Sequence, residues 1–476
     1  MSSEIKLPPL FEVNISKRGN TIRKLLIPIT SINGTIANFQ EGHFKSKAVI
    51  PSDDTTQRIL VVRKSASIPP RDSRVIRLKN SASTSDDSFS DLREGQWLKH
   101  PLMSTESATD VATSMQRVID SWGGAFSYLR EDPNKNVKGL RNPQIGAIHN
   151  VHGHWTVSDE VATIVMPTGT GKTETMLAVL ISTPCPKVLV IVPTDALRTQ
   201  LAEKFLTLGI LKDSNVLKES ASYPTVGILR HKPRDTSEVD EFFGRCHVVV
   251  TTSQIAGQCS AEIQERMAYQ CPYLFIDEAH HVEAPTWRAF KEKFSSRRIL
   301  QFTATPFRED GKPLDGKIVF KYPLKKAQDE GYFKPIQFEQ VWEFNPADYD
   351  KSVAERAVEQ LRRDQKYDHI LMARVDSVER AKQIFPLYEK YTEYNPVQIH
   401  TGIKSIAKRE EIRRKIVSGE SKIVVCADML GEGFDLPELK IAAFHDIRKS
   451  LAVTLQLAGR FTRSRPDLGT ATLLPT

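Results

Sequence analysis

A lysine and a threonine close a glycine-bearing turn at residues 166–173, which read MPTGTGKT. An apolar run at 161–165 precedes the turn, and a run that can start a helix follows it. The backbone N–H groups of such a turn point at a polyphosphate, and the next helix presents its positive end to the same anion. Lys172 would reach the β- and γ-phosphates, and the Thr173 hydroxyl would ligate Mg²⁺. The stretch predicts a phosphate-binding loop, with Met166 where the general pattern has glycine.

Two adjacent carboxylates, Asp277 and Glu278, follow the apolar run at 273–276. In a chain with a phosphate-binding loop, two carboxylates at a strand end have distinct functions. Asp277 would hold Mg²⁺ through water, and Glu278 would orient and deprotonate an attacking water. His280 is placed to sense the γ-phosphate. The alternative is an acidic helix start, because carboxylates stabilise helix N-termini.

Gln144 stands in an Arg-Asn-Pro-Gln segment ahead of the phosphate-binding loop. Its amide carries both a donor and an acceptor, which is what the reading of an adenine edge requires. A solvated glutamine beside a proline is the alternative. The position ahead of the loop favours a contact with the nucleotide.

Apolar, strand-like runs alternate with helix-like runs between residues 160 and 310. The predicted strands are 162–165, 188–192, 225–229, 248–251, 273–276 and 299–302. This alternation predicts a parallel sheet covered on both faces, with ligands at the carboxyl ends of the strands. The polar stretches at those ends are 168–173, 193–194, 251–253, 277–280 and 303–306. One site at this edge explains them better than independent solvated loops.

A second alternating region extends from residue 350 to the end and has no phosphate-binding loop of its own. Its predicted strands are 369–373, 397–400, 422–427 and 441–445. Arg460 and Arg463 are three residues apart on a predicted helix, so their side chains share a face. Two guanidinium groups on one face can complete a nucleotide site across a cleft and stabilise charge in the transition state. The alternative is a basic helix that contacts solvent or nucleic-acid phosphates.

The composition indicates a globular protein, and a chain of 476 residues has room for two or three domains. Its net charge of +8 is compatible with a polyanionic partner. No apolar run approaches the length of a membrane helix, and we expect no signal segment at the start. The five cysteines lack the spacing of metal knuckles or a disulfide framework, so we expect reduced thiols in a cytoplasmic protein.

Seven segments occur in the order found in superfamily 2 helicases and translocases: MPTGTGKT, VPTDALRTQ, TTS, DEAH, TATP, GEGFDLP and QLAGRFTR. The chain resembles the DEAH-bearing subgroup that includes restriction-enzyme motor subunits and bacterial antiphage-defence (Hachiman-like) helicases. The phrases FTATPFRED and GEGFDLP resemble that subgroup more than the DEAD-box RNA helicases. The resemblance covers residue 138 to the end. It implies an α/β fold of two tandem RecA-like parallel-sheet domains, which a small β-rich N-terminal domain would precede.

The resemblance also implies a role for each matching position. The expected catalytic residues are Lys172, Asp277, Glu278, His280, Gln456, Arg460 and Arg463. The residues expected to hold ATP are Arg141, Gln144, Thr168, Gly169, Thr170, Gly171, Lys172, Thr173, Glu174, Gly433 and Asp435. The residues expected to hold Mg²⁺ are Thr173 and Asp277, and those expected to couple hydrolysis to domain closure are Thr303 and Thr305. The residues expected to hold the phosphates of a nucleic-acid strand are Pro193, Thr194, Arg198, Thr251, Thr252, Arg374 and Thr401.

The expected organisation begins with a β-rich N-terminal domain at 1–100, in which we find no chemistry, and a helical linker at 101–137. The first RecA-like domain occupies 138–310 and binds ATP. A basic connector at 311–345 leads to the second RecA-like domain at 346–476. Because the chain ends at Thr476, inside the expected last strand, we expect the second domain to be truncated.

The function implied by the resemblance is ATP-dependent movement along a nucleic-acid strand, by a helicase or translocase acting on DNA rather than RNA. Phage defence or restriction would be the setting, with a nuclease or another effector subunit as a candidate partner and no membrane involved. One alternative is a nucleotide-gated nucleic-acid clamp or scaffold that holds a partner effector without unwinding. The other is an inactive remnant of a motor.

Overall fold

A computed structural model describes residues 3–16, 18–41, 44–54, 57–62, 74–78, 91–103, 111–281, 285–306, 314–333, 336–427, 436–446 and 468–474. The described strands form three sheets of six, nine and six strands. The first sheet is formed by strands of the first hundred residues, and the other two are centred on the two α/β regions.

The first hundred residues are rich in strands, as their short apolar runs between turn residues predict. These strands are β1 (Ser3–Leu7), β2 (Leu10–Ile15), β3 (Thr21–Ile27), β4 (Thr30–Glu41), β5 (Phe44–Pro51), β6 (Ile59–Val62), β7 (Val75–Arg77) and β8 (Gln96–Lys99). The six-stranded sheet has the order β1-β4-β5-β6-β7-β8. Ile5, Val49 and Ile76 are fully buried in its core.

The first α/β region spans residues 111–333. Its helices are α1 (Val111–Trp122), α2 (Asn142–Val157), α3 (Lys172–Ser182), α4 (Asp195–Thr207), α5 (Thr236–Gly244), α6 (Ser253–Gly257), α7 (Ala261–Gln270), α8 (Pro285–Glu292) and α9 (Leu324–Asp329). Its strands are β9 (Ala162–Val165), β10 (Val188–Val192), β11 (Thr225–Ile228), β12 (Val248–Thr252), β13 (Tyr273–Ile276), β14 (Arg298–Thr303) and β15 (Lys317–Lys321). They run parallel in the order β15-β9-β14-β13-β10-β12-β11. Every residue of β10 and β12 is buried, as expected of parallel strands covered on both faces.

The N-terminal hairpin β2–β3 does not join the six-stranded sheet. Instead β3 pairs antiparallel with β11, and the nine-stranded sheet ends β11-β3-β2. Ile22 of β3 packs in the same apolar cluster as Leu189 of β10 and Val249 of β12. The first hundred residues are therefore joined to the first α/β region by a shared sheet and a shared core.

The expected connector at 311–345 differs from the structure. Its residues 317–321 form β15, which pairs with β9 along the sheet edge. Ala327 of α9 and Phe333 are buried in the main core of the first α/β region. The sequence pattern does not predict this strand, which reads KIVFK. Its first and last residues are lysines and its side chains are only partly buried, so it lacks the continuous apolar run of a strand covered on both faces.

The second α/β region contains helices α10 (Tyr349–Arg363), α11 (Val378–Glu389) and α12 (Ile406–Val417). Its strands are β16 (Ile336–Phe338), β17 (Ile370–Val375), β18 (Val397–Ile399), β19 (Ile423–Ala427), β20 (Leu439–Phe444) and β21 (Ala471–Leu474). They form an all-parallel sheet in the order β16-β21-β20-β17-β19-β18. The last strand, β21, lies inside this sheet, between β20 and β16.

Two parallel-sheet α/β regions and a β-rich N-terminal part confirm the predicted fold class. The five cysteines all lie within the described ranges, where they are buried and form no disulfide. Within the described ranges, no helix combines the length and the apolar character needed to cross a bilayer.

Candidate functional site

Three polar strand ends meet because β9, β14 and β13 are neighbours in the sheet. The phosphate-binding loop follows β9, Thr303 ends β14, and Asp277 follows β13. The backbone N–H of Met166 donates to the carbonyl of Thr303 at 2.9 Å, which joins the loop directly to β14. Segments that are far apart in the sequence therefore share one edge of the sheet, as expected for a ligand site in a parallel sheet.

The phosphate-binding loop has the backbone that its glycines permit. Gly171 has φ +94° and caps α3, which begins at Lys172. A side chain there would be strained, and its Cβ would lie 2.0 Å from Gln144 Nε2. The Thr170 hydroxyl donates to the carbonyl of Pro167 at 2.7 Å and closes the turn. The loop and the eleven-residue helix α3 thus have the arrangement that binds phosphate at a helix N-terminus.

The segment ahead of the loop contacts it from α2. Arg141 donates through Nη1 to the carbonyl of Gly169 at 2.9 Å. Gln144 is buried, its Oε1 accepts the Arg141 backbone N–H at 2.7 Å, and its Nε2 faces the Gly171 carbonyl at 3.4 Å. Both side chains therefore support the phosphate-binding loop in this structure, and the contact between Gln144 and adenine stays a prediction.

Two residues that the sequence did not single out hold this support in place. The Tyr332 hydroxyl accepts the backbone N–H of Asn142 at 3.2 Å, and Glu330 accepts its side-chain amide at 3.0 Å. The Arg141 guanidinium lies 5.5 Å from the centre of the Tyr332 ring. Burial raises the pKa of Tyr332 to about 12, so its hydroxyl stays protonated. No local pattern could link residues so far apart in the sequence.

Lys172 and Glu278 form a buried ion pair across the site. Lys172 Nζ donates to Glu278 Oε1 at 2.5 Å, and the side chains are 8% and 12% exposed. His280 Nδ1 lies 3.6 Å from the other carboxylate oxygen of Glu278. The backbone of Glu278 has φ +47°, which a residue with a side chain rarely adopts outside functional sites.

A hydrogen-bonded chain continues from His280 to the end of β14. His280 Nδ1 lies 3.0 Å from the Thr303 hydroxyl. That hydroxyl donates to the carbonyl of Thr305 at 2.8 Å and accepts its backbone N–H at 3.2 Å. The Thr303 hydroxyl has one proton, which it donates to the carbonyl of Thr305. His280 Nδ1 therefore carries the proton of the hydrogen bond between His280 and Thr303. Of the two residues expected to couple hydrolysis to closure, Thr303 thus contacts the expected catalytic histidine, and Thr305 contacts Thr303.

Oxygen ligands suited to Mg²⁺ stand at two of these strand ends. Asp277 follows β13, is 7% exposed, and accepts the backbone N–H of Glu278 at 3.0 Å through Oδ1. Thr173 is the second residue of α3. A carboxylate and a hydroxyl are donors that Mg²⁺ accepts beside the phosphates of a nucleotide. Two further expected nucleotide residues are Thr168, which lies in the loop, and Glu174, which lies in the first turn of α3.

The residues expected to hold a strand begin at the carboxyl end of β10. Pro193 and Thr194 follow β10, and the Thr194 hydroxyl caps α4 by accepting the N–H of Leu197 at 3.4 Å. Arg198 is 4% exposed and pairs with Asp195 at 2.8 Å. Burial lowers the pKa of the Arg198 guanidinium, and the charge of Arg230 lowers it further.

Thr251 is fully buried in β12, and its hydroxyl donates to the carbonyl of Leu229 at 3.1 Å. Its side chain therefore joins β12 to the chain that leaves β11, and its expected contact with a nucleic-acid strand stays a prediction. Thr252 is also buried and caps α6 by accepting the N–H of Ile255 at 3.4 Å.

In the second α/β region, Arg374 is buried in β17, and Thr401 is exposed just after β18. Arg380 of α11 pairs with Asp350 at 2.8 Å and with Asp446 at 2.9 Å, so it fixes the chain that leaves β20. The expected residues outside the described ranges are Gly433, Asp435, Gln456, Arg460 and Arg463.

Two segments of the chain match known families. Residues 138–308 match the family described as type III restriction enzyme, res subunit. Residues 353–465 match the helicase conserved C-terminal domain. The DNA 3'-5' translocase XPB2 of Sulfurisphaera tokodaii is 22% identical over 356 residues, which are 63% of this chain and 74% of that relative.

Solved structures share the fold at low sequence identity. The type ISP restriction-modification enzyme LlaBIII bound to DNA has a TM-score of 0.50 and 14% identity, over 93% of this chain and 35% of that chain. The Mycobacterium smegmatis helicase Lhr bound to ssDNA and AMP-PNP has a TM-score of 0.50 and 18% identity, over 77% and 48%. Mss116p bound to ssRNA and AMP-PNP has a TM-score of 0.50 and 17% identity, over 78% and 75%. The chain thus spans about a third of LlaBIII and half of Lhr.

The two matched segments make the chain similar to restriction-enzyme res subunits over residues 138–308 and to the helicase C-terminal domain over residues 353–465. The solved helicases share its fold. The resemblance to superfamily 2 helicases and restriction-enzyme motor subunits that the sequence predicts is confirmed.

Proposed function

We propose that this chain is an ATP-dependent motor that moves along a nucleic-acid strand, with Mg²⁺ accompanying ATP. The observation that carries the proposal is the contact chain from Lys172 through Glu278 and His280 to Thr303. It connects the loop that would hold the phosphates with the strand end that would pass their state to the rest of the molecule.

In the proposed cycle, the phosphates of ATP draw Lys172 away from Glu278. The released carboxylate then orients and deprotonates the attacking water. Arg460 and Arg463, which the resemblance assigns to the catalytic residues, would stabilise the transition-state charge. Hydrolysis would reopen the two units and move one of them along the strand.

The proposed substrate is DNA, because one relative is named a DNA translocase and one similar enzyme was solved bound to DNA. Because Mss116p was solved bound to ssRNA, RNA is tested as a substrate beside DNA. A restriction or phage-defence setting in the cytoplasm, with a nuclease or other effector as partner, is part of the same proposal.

Phosphate release by the full chain, with and without polynucleotide, tests the proposal. We expect ATP hydrolysis that polynucleotide stimulates, and its loss in Lys172→Ala. No hydrolysis by the folded wild-type chain would contradict the proposal, and so would full activity of Lys172→Ala.

A triplex-displacement assay separates a motor from a clamp. A motor removes a third strand from duplex DNA in the presence of ATP. Hydrolysis without displacement would favour the nucleotide-gated clamp instead.

A further inference from the structure

A run of basic residues follows β11 at the carboxyl edge of the first α/β region. We call residues 230–234, which read RHKPR, the basic loop. Arg230, His231, Lys232 and Arg234 are exposed there, while Pro233 is buried and anchors the loop. The loop begins beside Thr251, whose hydroxyl binds the carbonyl of Leu229.

Residues 18–20, which we call the hairpin turn, lie in the turn of the N-terminal hairpin and hold the basic loop. Asn20 is 2% exposed, and its Oδ1 accepts the backbone N–H groups of Arg230 at 2.8 Å and His231 at 2.9 Å. Its Nδ2 donates to the carbonyl of His231 at 3.1 Å. Gly19 allows this turn with φ +84°, and β3 then pairs with β11 over four residues. The conformation of the basic loop therefore depends on residues outside the matched family segments.

The hairpin turn also supplies a cation. Arg18 is exposed and donates through Nη1 to the carbonyl of Lys232 at 3.2 Å. Arg234 forms an ion pair with Glu238. Within the described ranges, no carboxylate forms an ion pair with Arg18, Arg230 or Lys232. Three unpaired cations on one short surface leave a positive potential that a polyanion would neutralise.

This surface adjoins the two helices that carry the expected strand contacts. Helix α4 packs against β11 and β3, the strands from which the basic loop and the hairpin turn extend. Arg198 of α4 is 4% exposed and has no hydrogen-bond partner at Nε. On the other side, the Thr251 hydroxyl holds the carbonyl of Leu229 just before the basic loop, and the next residue, Thr252, caps α6. The basic loop therefore begins beside α4 and beside the strand that leads into α6.

We propose that the hairpin turn and the basic loop bind the phosphodiester backbone of a single nucleic-acid strand and lengthen the path set by α4 and α6. The inference rests on the proposed function and gives the N-terminal hairpin a part in it. Arg18, Arg230 and Lys232 contact phosphates, which positions the strand without reading its sequence. Asn20 is a positioning residue that sets the loop.

Fluorescence anisotropy with labelled single-stranded poly-dT and poly-U tests the surface, using the full chain and a non-hydrolysable ATP analogue. The variants are Arg18→Glu, Arg230→Glu and the double variant. The matched control is Lys218→Glu, an exposed cation that precedes the amino end of β11 on a segment bonded to Ala125. Because the altered side chains are exposed, thermal unfolding should match the wild type.

Each single variant should weaken binding about 5-fold near 0.1 M salt, and the slope of log K against log salt should fall by about 0.7 per lost contact. The double variant should show both losses, and Lys218→Glu should bind as the wild type does. The losses should appear with whichever of the two polymers the wild-type chain binds.

Wild-type affinity and salt slope in Arg18→Glu would overturn the inference. An equal loss in Lys218→Glu would also overturn it, because the effect would then follow net charge alone. A wild-type chain that binds neither polymer would instead count against the proposed function.

Discussion

Lys172 Nζ and Glu278 Oε1 lie 2.5 Å apart in a buried ion pair. The lysine expected to bind the phosphates of ATP is therefore held by the carboxylate expected to activate water. Bound phosphates must compete with this carboxylate for the lysine, because a buried charge that loses its partner is costly. The pair keeps the carboxylate engaged until a nucleotide arrives, which would limit hydrolysis to the nucleotide-bound state.

Glu278→Gln should bind ATP more tightly than the wild type and hydrolyse it about 10²–10⁴-fold more slowly. The neutral amide competes less with phosphate for Lys172, and it cannot accept a proton from water. Titration with a fluorescent ATP analogue and phosphate release measure the two effects. Lys172→Ala, the control, should lose both binding and hydrolysis. Wild-type turnover in Glu278→Gln would contradict the role of the carboxylate.

Gly171→Ala should abolish nucleotide binding, because the added Cβ would lie 2.0 Å from Gln144 Nε2 at a backbone with φ +94°. Gly153→Ala is the matched control, since Gly153 lies inside α2 and an added Cβ meets nothing within 4 Å. That substitution should stabilise the helix by about 0.5–1 kcal/mol. ATP titration and thermal unfolding compare the two variants. Normal ATP affinity in Gly171→Ala would show that the loop tolerates a displaced Gln144.

Thr303→Val should uncouple hydrolysis from movement. Valine keeps the shape of threonine but removes the hydroxyl that joins His280 to Thr305. Loss of one or two buried hydrogen bonds predicts that strand displacement per ATP falls about tenfold. Thr303→Ser keeps the hydroxyl and should retain coupling. Displacement and phosphate release measured together give the ratio, and an unchanged ratio in Thr303→Val would exclude this route.

His247 should make the first α/β region less stable in mild acid. Its Nδ1 accepts the backbone N–H of Thr225 at 3.0 Å, so Nε2 carries the proton and donates to the carbonyl of Met115 at 3.1 Å. Burial lowers the pKa of His247 to about 4, and the charges of Lys24 and Lys187 add to this shift.

Because the folded-state pKa lies below the ordinary value of about 6.5, the unfolded chain binds the proton more strongly. The contribution of neutral His247 is complete above pH 6.5 and is lost as the pH falls towards 4. The expected loss is about 2 kcal/mol at pH 5. Thermal unfolding at pH 7 and pH 5 should show a larger shift for the wild type than for His247→Asn. Equal shifts of the unfolding temperature in the wild type and in His247→Asn would show that other groups cause the acid sensitivity.

The buried strands could be predicted because each one is an uninterrupted apolar run. The predicted runs 162–165, 188–192 and 273–276 coincide with β9, β10 and β13. The edge strand β15 was missed because its two end residues are lysines and only part of each side chain is buried. Spacing along the chain contains no information on its pairing with β9.

The core of the site was also predictable, since its residues stand at strand ends in a recognisable order. The sequence could not give the strand order that sets Thr303 beside His280, because that order depends on packing between distant segments. Tyr332 and Asn20 were missed for the same reason, since each acts on backbone groups roughly 190 to 210 residues away along the chain.

The pairing of β3 with β11 has a consequence for the solubility of the first α/β region. Without the hairpin, β11 would expose a row of unpaired N–H and C=O groups on a parallel sheet, which is a template for association with other chains. A chain that begins at residue 138 would keep the nucleotide-binding loop yet leave this edge open. Such a shortened protein should self-associate as its concentration rises, with its ATP-binding residues unchanged.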